Sequence, residues 1–336
     1  MILGVIRIAI TLNFVALVTS IEIVDGTVAN NIAEFAEESL TVSAEVYLSI
    51  VNSSRVTFLD SVRNYGSLYV TNHNNQDVWV RMSGQDFENS GTVSFSCLTT
   101  PVFSDYHIRV TRSFVNTGNM YFGVYGEDYG ASPFSVTSVS TWTNSGMMLF
   151  LVAHGESAQL QIQRYVPDDG YRSITNTGSL CLNNTHWPVQ TNIEGNGCII
   201  VGSGGQLDLQ FSESTHGIAE DQTIYLASSD SLLKILGLES HSSEPPVIKL
   251  AGLGGSNRIQ FQAYSTQTYR YYTAIGLLNI FVDNVRKVSF NIGIGYELEL
   301  FDLTSGILSY SGPPPESAPD SCKCGTSFPT VPNISG

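Results

Sequence analysis

The strongest constraint on the fold is a nine-residue phrase that recurs through the first two thirds of the chain: apolar-x-Asn-x-Gly-x-apolar-x-apolar. It occupies residues 62–70, 87–95, 114–122, 142–150 and 174–182. Residues 193–201 depart from it only by Gly195 for Asn, and 201–209 form a degenerate last copy. Period-2 alternation on both sides of the glycine describes two short strands with one face inward. Asn and Gly tolerate left-handed backbone angles, so Asn-x-Gly predicts a sharp corner between the strands. The steps from glycine to glycine are 25, 27, 28, 32 and 19 residues. Strands held at fixed phase, with insertions of variable length elsewhere, describe a β-solenoid whose coils stack. Equivalent apolar residues then form columns inside, and equivalent Asn side chains can bond along a ladder. An ordinary β-sandwich turns every 8–12 residues and has no need of one phrase each time.

Composition agrees with an all-β chain. Only 13% of the 336 residues are charged, and polarity is carried by Ser, Thr, Asn and Gln together with 30 Gly. Such a chain favours turns and strands over long helices. Fifteen Lys+Arg against thirty Asp+Glu give a net charge of −15, which argues against nucleic acid as a partner.

Residues 2–18 are mostly apolar, and Val18-Thr19-Ser20 supplies small residues at a cleavage site. Residues 1–20 are therefore expected to be a secretory signal peptide. No later stretch is long and apolar enough to span a bilayer. Five cysteines follow: Cys97, Cys181, Cys198, Cys322 and Cys324. In an oxidising compartment most should pair, and an odd number leaves one over. Cys181 and Cys198, 17 residues apart across one repeat, are the expected pair, with one further pair available among the others. Cys322-Lys-Cys324 lacks the second half of a metal site, so no metal is expected. Sequons at Asn52, Asn183 and Asn333 are candidate glycosylation sites.

The phrase stops near Phe211, so the expected organisation is a solenoid over 21–212 and a β-sandwich over 213–311. The second unit would cap the open end of the first. Residues 312–336 begin with Gly-Pro-Pro-Pro and are expected to be a stiff linker opening a stalk.

Taken in order, several of these segments resemble the N-terminal domain of hyphally regulated cell wall proteins and related adhesin-like wall proteins of Candida-type yeasts. The residues that carry the resemblance are the Asn-x-Gly coils, Gly178-Ser-Leu-Cys181 and Gly195-Asn-Gly-Cys198-Ile-Ile-Val. They continue in Tyr272-Thr-Ala-Ile-Gly276-Leu-Leu, Phe290-Asn-Ile-Gly293-Ile-Gly-Tyr296 and the Gly-Pro-Pro-Pro to Cys-Lys-Cys ending. The likeness spans roughly residues 21–325. It implies a right-handed β-helix followed by an α-crystallin-like β-sandwich. It also implies a secreted domain of a wall protein held by a glycosylphosphatidylinositol anchor and concerned with adhesion and biofilm. No catalytic activity and no cofactor come with it. The Ser/Thr-rich stalk and anchor signal of such proteins do not occur within these 336 residues, so anchoring rests on the resemblance alone.

β-Helices also host pectin-degrading enzymes. Fragments of that kind occur at Asn116-Thr-Gly118, Asp168-Asp169, His216-Gly217 and Arg258-Ile-Gln260. Their gaps exceed one coil, and Gly118 stands where a carboxylate is needed, so converging acids are not expected. Glu37-Glu38, Glu127-Asp128 and Asp168-Asp169 read as surface acids rather than Ca²⁺ ligands. The candidate binding residues are Tyr65, Tyr69, Tyr121 and Tyr125, out of phase with the inward positions and so expected to face outward. Tyr269, Tyr271 and Tyr272 cluster beside Arg270, Trp142 is expected in the core, and Trp79 and Trp187 are not placed. The function expected is a monomeric, non-enzymatic adhesin domain at the fungal wall, with a glycan, host protein or abiotic surface as its ligand. A β-helix polysaccharide-degrading enzyme and a passive coat protein are the alternatives.

Overall fold

A computed structural model describes residues 20–126, 132–166, 170–211, 217–238, 245–262, 266–325 and 327–332. Among these residues the chain is all-β apart from one 3-10 turn at Leu298–Leu300, and no helix is long and apolar enough to cross a membrane. The signal segment 1–19, Asp168, Asp169, His216, Glu127, Asp128 and Asn333 lie outside the described residues.

Among the described residues the chain winds through ten stacked coils, each adding its strands in parallel to those of the coil before. The fourth coil, for example, runs through Asp86–Asn89, Thr92–Cys97 and Ser104–Val110. Three sheets result. The first has eight strands, from Ser20–Ile23 to Ile193–Glu194, and the second and third have thirteen each. Register is kept from coil to coil: Phe87 lies opposite Phe114, and Phe114 opposite Trp142. Their rings stack at 5.3 and 5.0 Å between centroids. Phe95, Phe122 and Phe150 make a second column, at 5.6 and 5.0 Å. Burying each such ring stabilises the fold by about 1.5–3 kcal/mol, so the interior columns are the main adhesive of the solenoid.

The Asn-x-Gly corner forms the expected ladder, with the side chains of Asn64, Asn89, Asn116, Asn144 and Asn176 all buried. Each Nδ2 donates to the Oδ1 of the next Asn, at 2.7, 2.7, 2.7 and 2.8 Å. The backbone reason differs from the one expected, since neither these Asn nor their following glycines have positive φ. Glycine is required by coil spacing instead. A Cβ on Gly91, Gly118, Gly146 or Gly178 would sit closer than 3.0 Å to the carbonyl oxygen of the glycine one coil before. Left-handed Asn does occur, at the next corner: Asn31 (φ 56°) and Asn52 (φ 55°).

The sheets run without a break through the expected boundary at 212–213. Thr223–Leu226 and Val247–Ala251 extend the second sheet in parallel, and Leu232–Leu236 and Arg258–Phe261 extend the third. Residues 213–311 thus begin as two more coils. The recurring phrase fails to mark them because the first sheet ends near Ile193–Glu194, continued only by a bridge from Ile193 to Ile218. Val285–Asn291 then joins the second sheet in parallel beside Val247–Ala251, with Leu277–Val282 and Gln267–Tyr272 added antiparallel beyond it, while Ile307–Tyr310 and Phe301–Thr304 add antiparallel to the third. They close the last coil over Tyr271, Tyr296, Phe301 and Tyr310, whose rings lie within 6 Å of one another in sequence.

The expected pairing of Cys181 with Cys198 does not form. Their strands are parallel and adjacent, with Cys181 opposite Ile200 and Cys198 opposite Ser179. Both side chains stand off the same outer face, side by side and two residues out of step, so neither points at the other. Cys181 bonds to Cys324, and Cys198 to Cys322. Cys97 is the free thiol; it is buried, and burial pushes its pKa up. The segment after Gly312 is therefore no departing linker. Pro314 packs by Gly254 and Glu316 by Gly293, and the chain then turns back over the outer face of the second sheet. Phe328 reaches Tyr121, at 5.5 Å between ring centroids.

Candidate functional site: the outer face of the third sheet

This return segment decides which face can meet a partner. Ser49, Tyr69, Ser94, Tyr121, Leu149, Cys181 and Ile200 form one outward row across the second sheet. Met147, Leu149, Cys181, Cys198 and Ile200 are packed with Cys322, Cys324 and Phe328. Tyr69 is only 8% exposed, and Tyr121 is half-buried beneath Phe328. Tyr125 lies against His154, at 4.4 Å between rings. Tyr65 stays 39% exposed at the Asn corner, its hydroxyl 3.5 Å from Glu88 Oε2. The four candidate tyrosines do point away from the core, yet they form no open aromatic strip, because the end of the chain occupies that sheet. In the second cluster Tyr271 is buried with its hydroxyl bonded to Gly293 O at 2.8 Å, and Tyr272 is exposed.

The outer face of the third sheet is open. Its strands alternate inward Val78, Val80 and Met82 with outward Trp79 and Arg81, and inward Tyr106 and Ile108 with outward Asp105, His107 and Arg109. Parallel register aligns these outward residues into rows: Arg55, Trp79 and Asp105 in one; Arg81, His107, Ser135 and Gln161 in the next. Arg81 Nη2 donates to Asp105 Oδ2 at 2.6 Å, and His107 Nε2 lies 2.6 Å from Asp105 Oδ1. Burial would raise the Asp105 pKa, but the bonds from His107 and Arg81 outweigh it and hold the carboxyl below its ordinary value. Arg109 Nε donates to Ser135 Oγ at 3.3 Å, which donates to Gln161 Oε1 at 3.0 Å. Farther along, Asp208 accepts from Gln206 Nε2 at 2.7 Å and pairs with His186 Nε2 at 2.8 Å.

The result is a lattice of polar side chains already held by one another, with two large rings standing out of it, Trp79 among the first coils and Tyr165 at the end of Ala158–Val166. Trp79 is 41% exposed, while Trp142 and Trp187 are buried in the core. Arg81 lies over its ring at 5.4 Å and Phe103 beside it at 5.9 Å. The sequence signal for Trp79 was present in the alternation of 78–82, outside the copies of the phrase.

The remaining candidates sit elsewhere. Asn116 of the pectinase-like fragment is a buried rung of the ladder, and Arg258 lies on the third sheet of the last coil. No cluster among the described residues could hold a metal ion. Asn52 of the first sequon has Nδ2 3.1 Å from Asn31 Oδ1, and Asn183 packs on Gly202.

A stacked solenoid, stapled by two disulfides and with polar outer faces left uncovered by the return segment, is the build of an extracellular surface domain. Residues 11–332 match the family described as hyphally regulated cell wall protein N-terminal, and the chain belongs to that family. Membership places it at the fungal cell wall or surface. It is 28% identical over 306 residues to cell wall protein RBR3 of Candida albicans, covering 84% of this chain and 19% of that protein. Cell wall protein IFF9 of Candida albicans is 27% identical, with 91% and 33% covered. Adhesin AWP2 of Candida glabrata is 27% identical, with 88% and 35% covered. The chain spans about a fifth to a third of these relatives.

Proposed function

We propose that this chain is the effector domain of a wall-displayed adhesin, that it holds host or abiotic surfaces in biofilm-forming contact, and that it has no catalytic role. The single observation that carries this is the open outer face of the third sheet, with Trp79 projecting from a lattice of paired polar groups. Flat contact of that kind is weak per copy and gains strength from many monomeric copies on one wall. Asp105 and Asp208 are engaged by His107, Arg81, His186 and Gln206, and Glu34 has a side chain 54% exposed. A glycosidase acid needs a carboxyl whose pKa burial has raised, set against a second one; burial raises Glu37 in this way, but it stands at the end of Glu34–Glu37 in the first coil, away from the Asp105 lattice. A signal peptide at 1–20, glycans on the sequons and an anchor beyond the domain complete the scheme. The coils are taken to wind right-handed, as nearly all parallel crossovers do, with an α-crystallin-like end cap.

The test is binding of the purified domain to a glycan array, host cells and plastic, with sugar release from pectin and β-glucan assayed in parallel. Saturable binding without release is expected. Release that disappears on Asp169→Asn would establish the enzyme instead.

A further inference from the structure

Where the first three coils enter the third sheet, the surface holds an open depression of about 400 Å³ lined by Ala33, Glu34, Ser54, Arg55, Asp77 and Trp79. That volume is in the range of small-molecule sites, roughly 300–1,000 Å³. Its walls come together through register. Glu34 lies opposite Arg55, and Arg55 opposite Trp79, so three successive strands set an acid, a guanidinium and an indole side by side about 4.8 Å apart.

The indole is fixed before any ligand arrives. Arg81 covers its ring and is itself held by Asp105, while Phe103 flanks it. Phe103 is positioned in turn by its backbone N–H, which donates to Asp77 Oδ1 at 3.2 Å. The part of the ring that Arg81 and Phe103 leave exposed is an apolar surface held in place beside polar groups. A pyranose suits it: its C–H face lies on the indole and its hydroxyls turn to the rim. There Glu34 and Asp77 accept from hydroxyls and Arg55 donates. Arg55 already faces Glu34, at 3.7 Å. With two carboxylates against one guanidinium the depression carries excess negative charge, which disfavours a ligand bearing its own carboxylate.

We propose that this depression is a subsite for one neutral pyranose unit of a surface glycan, selected against uronic and sialic acids, an assignment that rests on the adhesin function proposed above. Trp79 is the platform, Asp77 and Glu34 the acceptors that impose neutrality.

Tryptophan fluorescence reads this site directly, because Trp142 and Trp187 are buried and Trp79 alone is open to quencher. Methyl α-mannopyranoside and lactose are titrated against the intact protein under acrylamide quenching, beside 3′-sialyllactose and digalacturonate. At least one neutral sugar is expected to protect Trp79 saturably, with both acidic sugars about tenfold weaker or worse. Measured by calorimetry, Trp79→Ala is expected to lose about tenfold in affinity and Trp79→Phe to recover most of it. The double change Asp77→Asn with Glu34→Gln should remove the discrimination against acidic sugars. Equal binding of acidic sugars, an unchanged Trp79→Ala, or no protection by either neutral sugar overturns the assignment. Adhesion of the same samples to cells and plastic is followed alongside. Adhesion that persists when the sugar result fails removes the subsite alone, whereas loss of adhesion in the wild-type protein removes the adhesin function and the subsite with it.

Discussion

Cys324 is bonded to Cys181 across 143 residues of chain, which fastens the return segment to the seventh coil, well short of the cap. Cys322 repeats the fastening on Cys198, one coil later. A pull on the two ends therefore passes from Cys324 directly to Cys181, and residues 182–323 carry no load. In single-molecule stretching, the oxidised domain should release about 600 Å of contour length and the reduced domain about 1,100 Å, at 3.3–3.6 Å per residue. Cys181→Ser should add only about 70 Å to the oxidised value, because Cys198–Cys322 then takes the load. Full release from the oxidised wild type would show that the disulfides are not as described.

The Asn ladder predicts a large cost for a small change. Asn116→Ala removes the acceptor of Asn89 and the donor to Asn144, and leaves both buried. Each orphaned polar group costs about 1–3 kcal/mol, so roughly 2–6 kcal/mol of stability should be lost in urea unfolding. Thr143→Ala, at an outward position of the neighbouring coil, should change stability by no more than about 0.5 kcal/mol.

Coil spacing predicts a contrast between two glycines. Gly118→Ala forces a Cβ against Gly91 O and should prevent recovery of folded protein. Gly217→Ala meets nothing nearer than Asn192 Oδ1 at 3.7 Å and has ordinary backbone angles, so it should fold normally. Thermal melts of the two variants decide the matter.

Acid should weaken the fold through carboxylates held below their ordinary pKa, Asp86 and Asp105 among them. Bonds from Arg112 hold the Asp86 pKa below its ordinary value against the effect of burial, with help from Ser113 Oγ at 2.6 Å. For Asp105, burial works upward and is outweighed by His107 and Arg81. Because the folded-state values are depressed, the unfolded chain takes up protons first as pH falls. Stability from these groups is fully present above about pH 5 and is lost progressively below about pH 4. Asp86→Asn and Asp105→Asn should each flatten the acid limb of a stability-against-pH profile while lowering stability at pH 7.

The coils were legible wherever one short rule governed them. Apolar alternation and the Asn-x-Gly spacing set the stacking of Phe87 on Phe114 and the ladder from Asn64 to Asn176, because both depend on residues that recur at fixed phase. Contacts closed by distant chain were not legible. Nothing near Cys181 says that its partner is Cys324, or that Tyr69 and Tyr121 lie on the sheet the chain end returns to. The last two coils were missed because they lack the first-sheet strand in which the phrase lies. Trp79 was legible in principle, since strict alternation from Val78 to Met82 puts it outside, but its importance appears only once the second sheet is seen to be covered.

The most direct test is adhesion of particles carrying many copies of the domain, comparing wild type with one variant on each of two outer faces. Trp79→Ala with Arg81→Glu alters the third sheet, and Thr143→Glu alters the first. All three proteins should melt as folded domains. Loss of adhesion in the third-sheet variant alone is the predicted result; full adhesion by that variant would contradict the account.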